Sequence, residues 1–200
     1  WNVTGADSGT VALTGTPSDS VTFAGMENIA GNTGIDLITL VNNATGPDGS
    51  ISGTIAGTAA TLTNNLGDRL TIGSDLLETV SWNLITGTST TTGRVASFTG
   101  IESVTGGDGI DAFSVSTALT DITGGAGDTL TVTGVNALWQ LGASTSGVTA
   151  DSGGAVASFS GITDLTGAGA NDSLVGVEQN NTWNVTGADS GTVALTGTPS

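Results

Sequence analysis

Two hundred residues carry 18 acidic and 2 basic side chains, a net charge of −16, with no Lys, His, Tyr or Cys. Phosphate backbones and anionic membrane surfaces both call for clustered cations, so neither nucleic-acid binding nor direct membrane insertion is expected. Without Cys there is no disulfide or zinc–thiolate site, and without His the usual general base at neutral pH is missing, so an enzyme is not expected.

The rest of the composition predicts an all-β chain. Gly, at 33 residues, is about twice the usual ~7%. Val, Ile and Thr are abundant, and the acids are scattered singly rather than in the blocks of a disordered tail. The opening WNVTGADSGT has neither the basic nor the apolar stretch of a signal peptide, so none is expected there. No run approaches the ~18 apolar residues of a membrane-spanning helix. Residues 1–18, WNVTGADSGTVALTGTPS, recur letter for letter at 183–200, an offset of 182. The chain is therefore read as a window on a longer tandem array, with 1–182 as one super-repeat and 183–200 as the start of the next.

A shorter pattern lies inside the super-repeat. Trp1-Asn2-Val3 leads after 22 residues to FAGMENIAGNTGID (23–36). Trp82-Asn83-Leu84 leads after 16 to FTGIESVTGGDGID (98–111), and Trp139-Gln140-Leu141 leads after 20 to FSGITDLTGAGAND (159–172). Each block has Gly two residues after Phe, an aliphatic residue at +6, Gly at +8 and Asp at +13. Turn-and-strand segments GDRLTIG (67–73), GDTLTVTG (127–134) and NDSLVG (171–176) precede the later Trp modules. Three pseudo-repeats result: 1–81, 82–138 and 139–182. Their lengths differ by whole segments while the Phe-to-Asp block stays fixed. A solenoid tolerates this, because each coil touches only its neighbours.

Within strands, Val21, Phe23 and Gly25, or Leu130 and Val132 beside Thr129, Thr131 and Thr133, alternate so that the apolar set faces inward. Gly-Asn and Gly-Asp pairs are placed at positive-φ corners. LLETVSW (76–82) has some helical character, and strand is preferred there. The fold class expected is all-β, a right-handed parallel β-solenoid built from tandem repeats.

GGDGIDAFS (106–114) fits the nonapeptide G-G-x-G-x-D-x-U-x, and here the chain resembles the RTX-type calcium-binding repeats of secreted bacterial proteins. The resemblance implies Asp111 as a carboxylate ligand for calcium, with Gly106, Gly107 and Gly109 as turn residues. GNTGIDLIT (31–39) and GAGANDSLV (167–175) extend it to Asp36 and Asp172. GGAGDTLTV (124–132), one residue short, extends it to Asp128. Calcium rolls stack the nonapeptide back to back, so that consecutive turns complete about six to eight oxygens; each match here stands alone. The competing reading, which is preferred, makes these Asp residues caps for backbone N–H groups in tight turns, with no cofactor required. Trp1, Trp82, Trp139 and Trp183 are read as packing residues rather than sugar-stacking platforms, and Phe23, Phe98 and Phe159 as core. Arg69 and Arg94 are solitary, without the paired carboxylates of a polysaccharide-cleaving site. The TxT strings 129–133 and 89–93 are too irregular for an ice-binding face.

As a whole the chain resembles the Gly/Thr/Asn/Asp-rich tandem repeats of giant secreted bacterial surface proteins: haemagglutinin-like and RTX-type adhesins, biofilm matrix proteins and extracellular filaments. The resemblance rests on texture along the whole chain and on F-x-G-[MI]-[ET] followed by G-x-x-x-x-D. It implies an extracellular or cell-surface location. The expected function is a structural segment of a long extracellular fibre or adhesin stalk. Its expected partners are further copies of the same repeat end to end, with lateral bundling of rods as a further contact. The alternative is a calcium-dependent adhesive or carbohydrate-binding module, with glycans as ligands. At about 20 residues per coil a super-repeat makes roughly nine coils, or about 43 Å at ~4.8 Å per strand. Both ends of the chain read as ordinary coil without a polar cap, so self-templated stacking is expected.

Overall fold

The structure is a computed structural model that describes residues 1–13, 16–57, 67–74, 78–84, 89–91, 93–116, 121–133, 136–143, 146–151, 154–178 and 180–195. Among them all regular structure is strand, so the fold is all-β. The chain passes back and forth between two large sheets. In the first lie β1 (Asn2–Gly5), β2 (Ser8–Leu13) and β3 (Thr16–Ala24); β4 (Ile29–Ala30) is in the second. The path returns to the first with β5 (Leu37–Leu40), to the second with β6 (Ile51–Ala56) and to the first with β7 (Arg69–Ile72). Next come β8 (Ser81–Leu84), β9 (Ser89–Thr91) and β10 (Val95–Thr99), together in the second sheet. Alternation resumes with β11 (Ser103–Thr105), β12 (Ala112–Val115), β13 (Asp121–Thr123) and β14 (Thr129–Val132). The first sheet then takes β15 (Leu138–Ala143), β16 (Ser146–Asp151) and β17 (Gly154–Ser160), the second β18 (Asp164–Gly167), and the first β19 (Ser173–Val175). The last two, β20 (Asn181–Gly187) and β21 (Ser190–Leu195), form a separate two-stranded sheet.

Strand order is β19-β15-β16-β17-β13-β11-β7-β5-β1-β2-β3 in the first sheet and β18-β14-β12-β8-β9-β10-β6-β4 in the second. Strands that the chain reaches by crossing from the other sheet pair in parallel and in register. Ile38 lies opposite Leu70, Leu70 opposite Val104, and Val104 opposite Ile122. In the second sheet Trp82, Phe113, Leu130 and Leu165 line up the same way. Period-two alternation aims both columns into one apolar cluster shared by the two sheets. Thr39, Thr71, Thr105 and Thr123 form the neighbouring column on the first sheet.

The sheets are mixed, whereas the sequence pointed to parallel strands throughout. The first three Trp modules each open a three-stranded antiparallel meander: β1–β2–β3, β8–β9–β10 and β15–β16–β17. The reason is local. Between β1 and β2 the chain reverses in two residues, with Asp7 at φ 49°, a left-handed conformation that Asp tolerates better than most side chains. Val21 was expected to face inward but is 65% exposed, because β3 is the outermost strand of its sheet. Of LLETVSW (76–82), 76–77 fall outside the described residues, and Ser81 and Trp82 are strand.

Candidate functional site

Two structural devices recur at the Trp and Phe blocks, and both explain the spacing in the sequence. The first is an aromatic clasp. Trp1 meets Phe23, Trp82 meets Phe98 and Trp139 meets Phe159 edge to face, at ring-centroid distances of 5.9, 6.2 and 6.1 Å. In the first and third meanders Phe lies opposite a glycine on the middle strand, Gly9 or Gly147. Phe98 and Phe159 are buried, while Phe23, on the edge strand, is partly buried. Two residues after each Phe, Gly25, Gly100 and Gly161 take φ of 67°, 63° and 68°, so the positive-φ corner belongs to F-x-G. Of the Gly-Asn and Gly-Asp pairs given that role, Gly127 has it, at φ 94°. Of the four Trp residues read as packing positions, Trp82 and Trp139 are inside the core and Trp1 is partly buried against it, while Trp183 is 48% exposed.

The second device is the corner carboxylate. Asp36, Asp111, Asp128 and Asp172 each stand just before a strand and turn back over their own Gly-rich loop. One oxygen accepts from that loop: Asn32 N–H to Asp36 Oδ2 at 3.0 Å, Gly107 to Asp111 at 3.1 Å, Gly125 to Asp128 at 2.5 Å and Gly169 to Asp172 at 3.0 Å. Glycine at Phe+8 is required for this. A Cβ on Gly31, Gly106 or Gly167 would overlap the carboxylate of Asp36, Asp111 or Asp172. A second oxygen reaches the residue that leads into a neighbouring parallel strand. Asp128 Oδ1 accepts from Asp111 N–H at 2.8 Å, and Asp172 Oδ1 from Ala137 N–H at 2.6 Å. Asp68, missed in the sequence although GDRLTIG carries the same Gly-Asp corner, accepts from Asp36 N–H at 2.7 Å. Each such bond to a charged acceptor contributes about 1.5–3 kcal/mol. The corners therefore tie neighbouring parallel strands together.

The structure brings Asp111 together with Asp128, and Asp36 with Asp68, while Asp172 pairs with the backbone at Ala137. Among the described residues no three acidic side chains converge as a metal cage. Asp111 is fully buried, and burial, reinforced by the charge of Asp128, pushes its pKa up to about 6. The Trp82 indole and the N–H groups of Gly107 and Val80 oppose that rise. Even so, neither Trp82 Nε1 nor Asp111 Oδ1 has a partner at full hydrogen-bond geometry. The corresponding Trp1 Nε1 donates to Asp36 Oδ1 at 3.3 Å. Burial also raises the pKa of Glu102, whose Oε2 accepts from Asp68 N–H at 2.8 Å.

Arg94 is a third tie, which the sequence left as a solitary cation. It is 5% exposed, bonded through Nη1 to both oxygens of Glu78 at 3.0 and 3.1 Å, with Asp48 at 3.6 Å. Its Nε donates to the Gly49 carbonyl at 2.9 Å, fastening the 41–49 loop to β10. Nothing in a lone Arg-Val dipeptide signals this. Comparison of the chain with protein-family models, with curated proteins and with solved structures gives no match.

Proposed function

We propose that the chain is a structural segment of a long extracellular fibre or adhesin stalk, in which successive super-repeats continue one right-handed β-solenoid rod. The single observation that carries this reading is the second copy of the opening hairpin. β20–β21 pairs Asn184 with Thr192, Val185 with Gly191 and Gly187 with Ser190, the register of β1–β2 shifted by one super-repeat. Val3 is fully buried in its copy, whereas Val185 is 77% exposed. The unit thus presents, after its last large-sheet strand, an apolar surface of the kind its own opening buries. Crossovers that return the chain to a parallel neighbour in the same sheet, as from β5 through β6 to β7, favour the right hand in about 98% of cases. The −16 charge keeps neighbouring rods apart at low salt, and salt weakens that repulsion, which sets the conditions for lateral bundling.

Chains of one, two and four super-repeats test this by negative-stain imaging and small-angle scattering. The expected particle lengthens by about 45 Å per unit at ~4.8 Å per strand, and its Tm rises with unit number. Flexibly linked beads with an unchanged Tm would overturn it.

A calcium-dependent module is the second reading, favoured by the buried and unpaired Asp111 Oδ1 beside Asp128. Melting with millimolar calcium and with chelator separates the two. A rise of many degrees supports calcium, and superimposed curves leave the corners as backbone caps.

A further inference from the structure

We propose that consecutive super-repeats join with a half-turn, so that the eleven-stranded sheet of one unit continues into the eight-stranded sheet of the next. The structural period of the array is then two units, not one. The half-turn rests on the rod reading above.

The pairing rules are visible inside the unit. The Phe strand of a meander pairs in parallel with the strand two places before that meander's Trp strand. Thus β10 pairs with β6, setting Phe98 opposite Ile55, and β17 pairs with β13, setting Phe159 opposite Ile122. The strand after each meander pairs with the one just before it, β11 with β7 and β18 with β14. These rules keep the chain alternating between sheets, and they place the meanders in the first, second and first sheets in turn. Three meanders per unit is an odd number. The fourth, opened by β20, follows β19 of the first sheet and so falls in the second, where the free edge of β18 receives its Phe strand. In the opening unit the same residues, 1–24, lie in the first sheet. A half-turn about the stacking axis makes that exchange.

The strand count demands the same exchange. One unit places eleven strands in one sheet and eight in the other. Repeated without exchange, one sheet would outgrow its partner by three strands, or about 14 Å, at every unit, and the shared core would lose its facing side. With exchange, two units place about nineteen strands in each sheet, an axial period of about 90 Å.

The joint has a defined register. Phe159 opposite Ile122 sets Ser158 opposite Asp121, and the Ser158 hydroxyl donates to Asp121 at 3.0 Å. Phe98 opposite Ile55 sets Ser97 against Thr54, with 2.9 Å between their hydroxyls. The same offset at the joint puts Phe23 of the next unit opposite Leu165, and Thr22 opposite Asp164. Leu165 is only partly buried and Asp164 is exposed, as expected of an edge that awaits a neighbour.

The chain has no Cys, so an introduced pair reports one contact. Two tandem units are made with Asp164→Cys in the first and Thr22→Cys in the second, oxidised mildly, digested and examined by mass spectrometry for the cross-linked peptide. Directly opposed strand positions lie within disulfide reach. A second protein carries Ser173→Cys in place of Asp164→Cys, which matches continuation of β19 without exchange. Near-complete cross-linking of the Asp164→Cys pair is the expected result. Cross-linking of the Ser173→Cys pair instead would overturn the half-turn while leaving the rod. No cross-link in either protein, in chains that keep the melting profile of the unsubstituted tandem, would overturn the joint and the rod together.

Discussion

Residues 2–13 and 184–195 have one sequence and one hairpin, but very different surroundings. Both copies share the register, and the corner residues Asp7 and Asp189 share a left-handed φ, 49° and 53°. Conformation is therefore written in the segment itself, in the Ala-Asp turn and the glycine that follows. Burial is not. Val3 is covered because β1 pairs with β5 on one side and β2 carries the sheet on to β3 on the other. Covering a Val fully stabilises by about 1.5–3 kcal/mol, and Val185 forgoes most of that. The segment sets the shape, and the neighbouring strands supply the stability.

Phenylalanine at the clasp gives the largest test of that division. Phe98 is 2% exposed and has β6 beyond it. Phe23 lies on the outermost strand of its sheet. Phe98→Ala is expected to cost about 3–5 kcal/mol in urea denaturation, and Phe23→Ala about half as much in the single unit. In a two-unit chain, Phe23→Ala placed in the second copy should rise to the Phe98 value. Equal costs in the single unit would break the distinction between covered and uncovered strands.

The contrast also marks what the sequence could disclose. The fixed spacing of F-x-G, the glycine at +8 and the Asp at +13 was legible, and so was the capping of its own loop by that Asp; the positive φ of the F-x-G glycine was not, because Gly25 reads by alternation as one more inward strand position. The all-β class follows from β-branched runs between turns. The meanders were not legible, because an Ala-Asp-Ser-Gly reversal reads equally as a coil corner or a hairpin until its partner strand is known. Val21 looked inward by alternation, but its exposure depends on a neighbour outside its own block. Asp68 and Arg94 act on residues 32 and 45 positions away, Asp36 and Gly49, and such contacts exist only once distant strands are brought side by side. Asp111 was legible as a site residue, while its contact with Asp128 depended on the stacking of β12 on β14.

Coverage of a corner should also appear in titration, with an intermediate effect. Asp111 is buried beside Asp128, and its pKa in the folded chain, about 6, lies above the ordinary 3.8. A raised carboxylate pKa means that folding favours the protonated form. Its contribution is fully present below about pH 4 and is lost as pH rises through 6. Allowing for solvent screening, this amounts to about 2 kcal/mol, or a few degrees in Tm. Lower repulsion among the other acids acts in the same direction, so the informative quantity is the difference from Asp111→Asn. That variant should lose the part of the Tm rise between pH 7 and pH 4 that belongs to Asp111. Parallel Tm–pH curves for the two proteins would mean that the corner is not closed by its neighbour.

The smallest effect is the most discriminating, because one substitution is expected to have opposite signs in the two copies. Asp7 holds a left-handed φ, a strain of about 1 kcal/mol that glycine would relieve. In its covered copy it also binds β6, its Oδ1 accepting from Ser52 N–H at 2.7 Å and its Oδ2 from the Ser52 hydroxyl at 2.9 Å. Both bonds are solvent-exposed and together contribute about 2 kcal/mol, more than the strain returns, so Asp7→Gly should destabilise the opening hairpin by about 1 kcal/mol. Asp189 has the same strain at φ 53°, in a hairpin that pairs only with itself among the described residues. There, relief of strain dominates, and Asp189→Gly should stabilise by about 0.5 kcal/mol. Amide hydrogen exchange reads each hairpin separately: Val3 and Gly9 should exchange faster in the first variant, and Val185 and Gly191 more slowly in the second. Extending the chain by a further unit gives Asp189 its own Ser52 equivalent, and the second sign should then reverse. If both substitutions shift exchange in the same direction in the single unit, the contact with β6 is not what distinguishes Asp7 from Asp189.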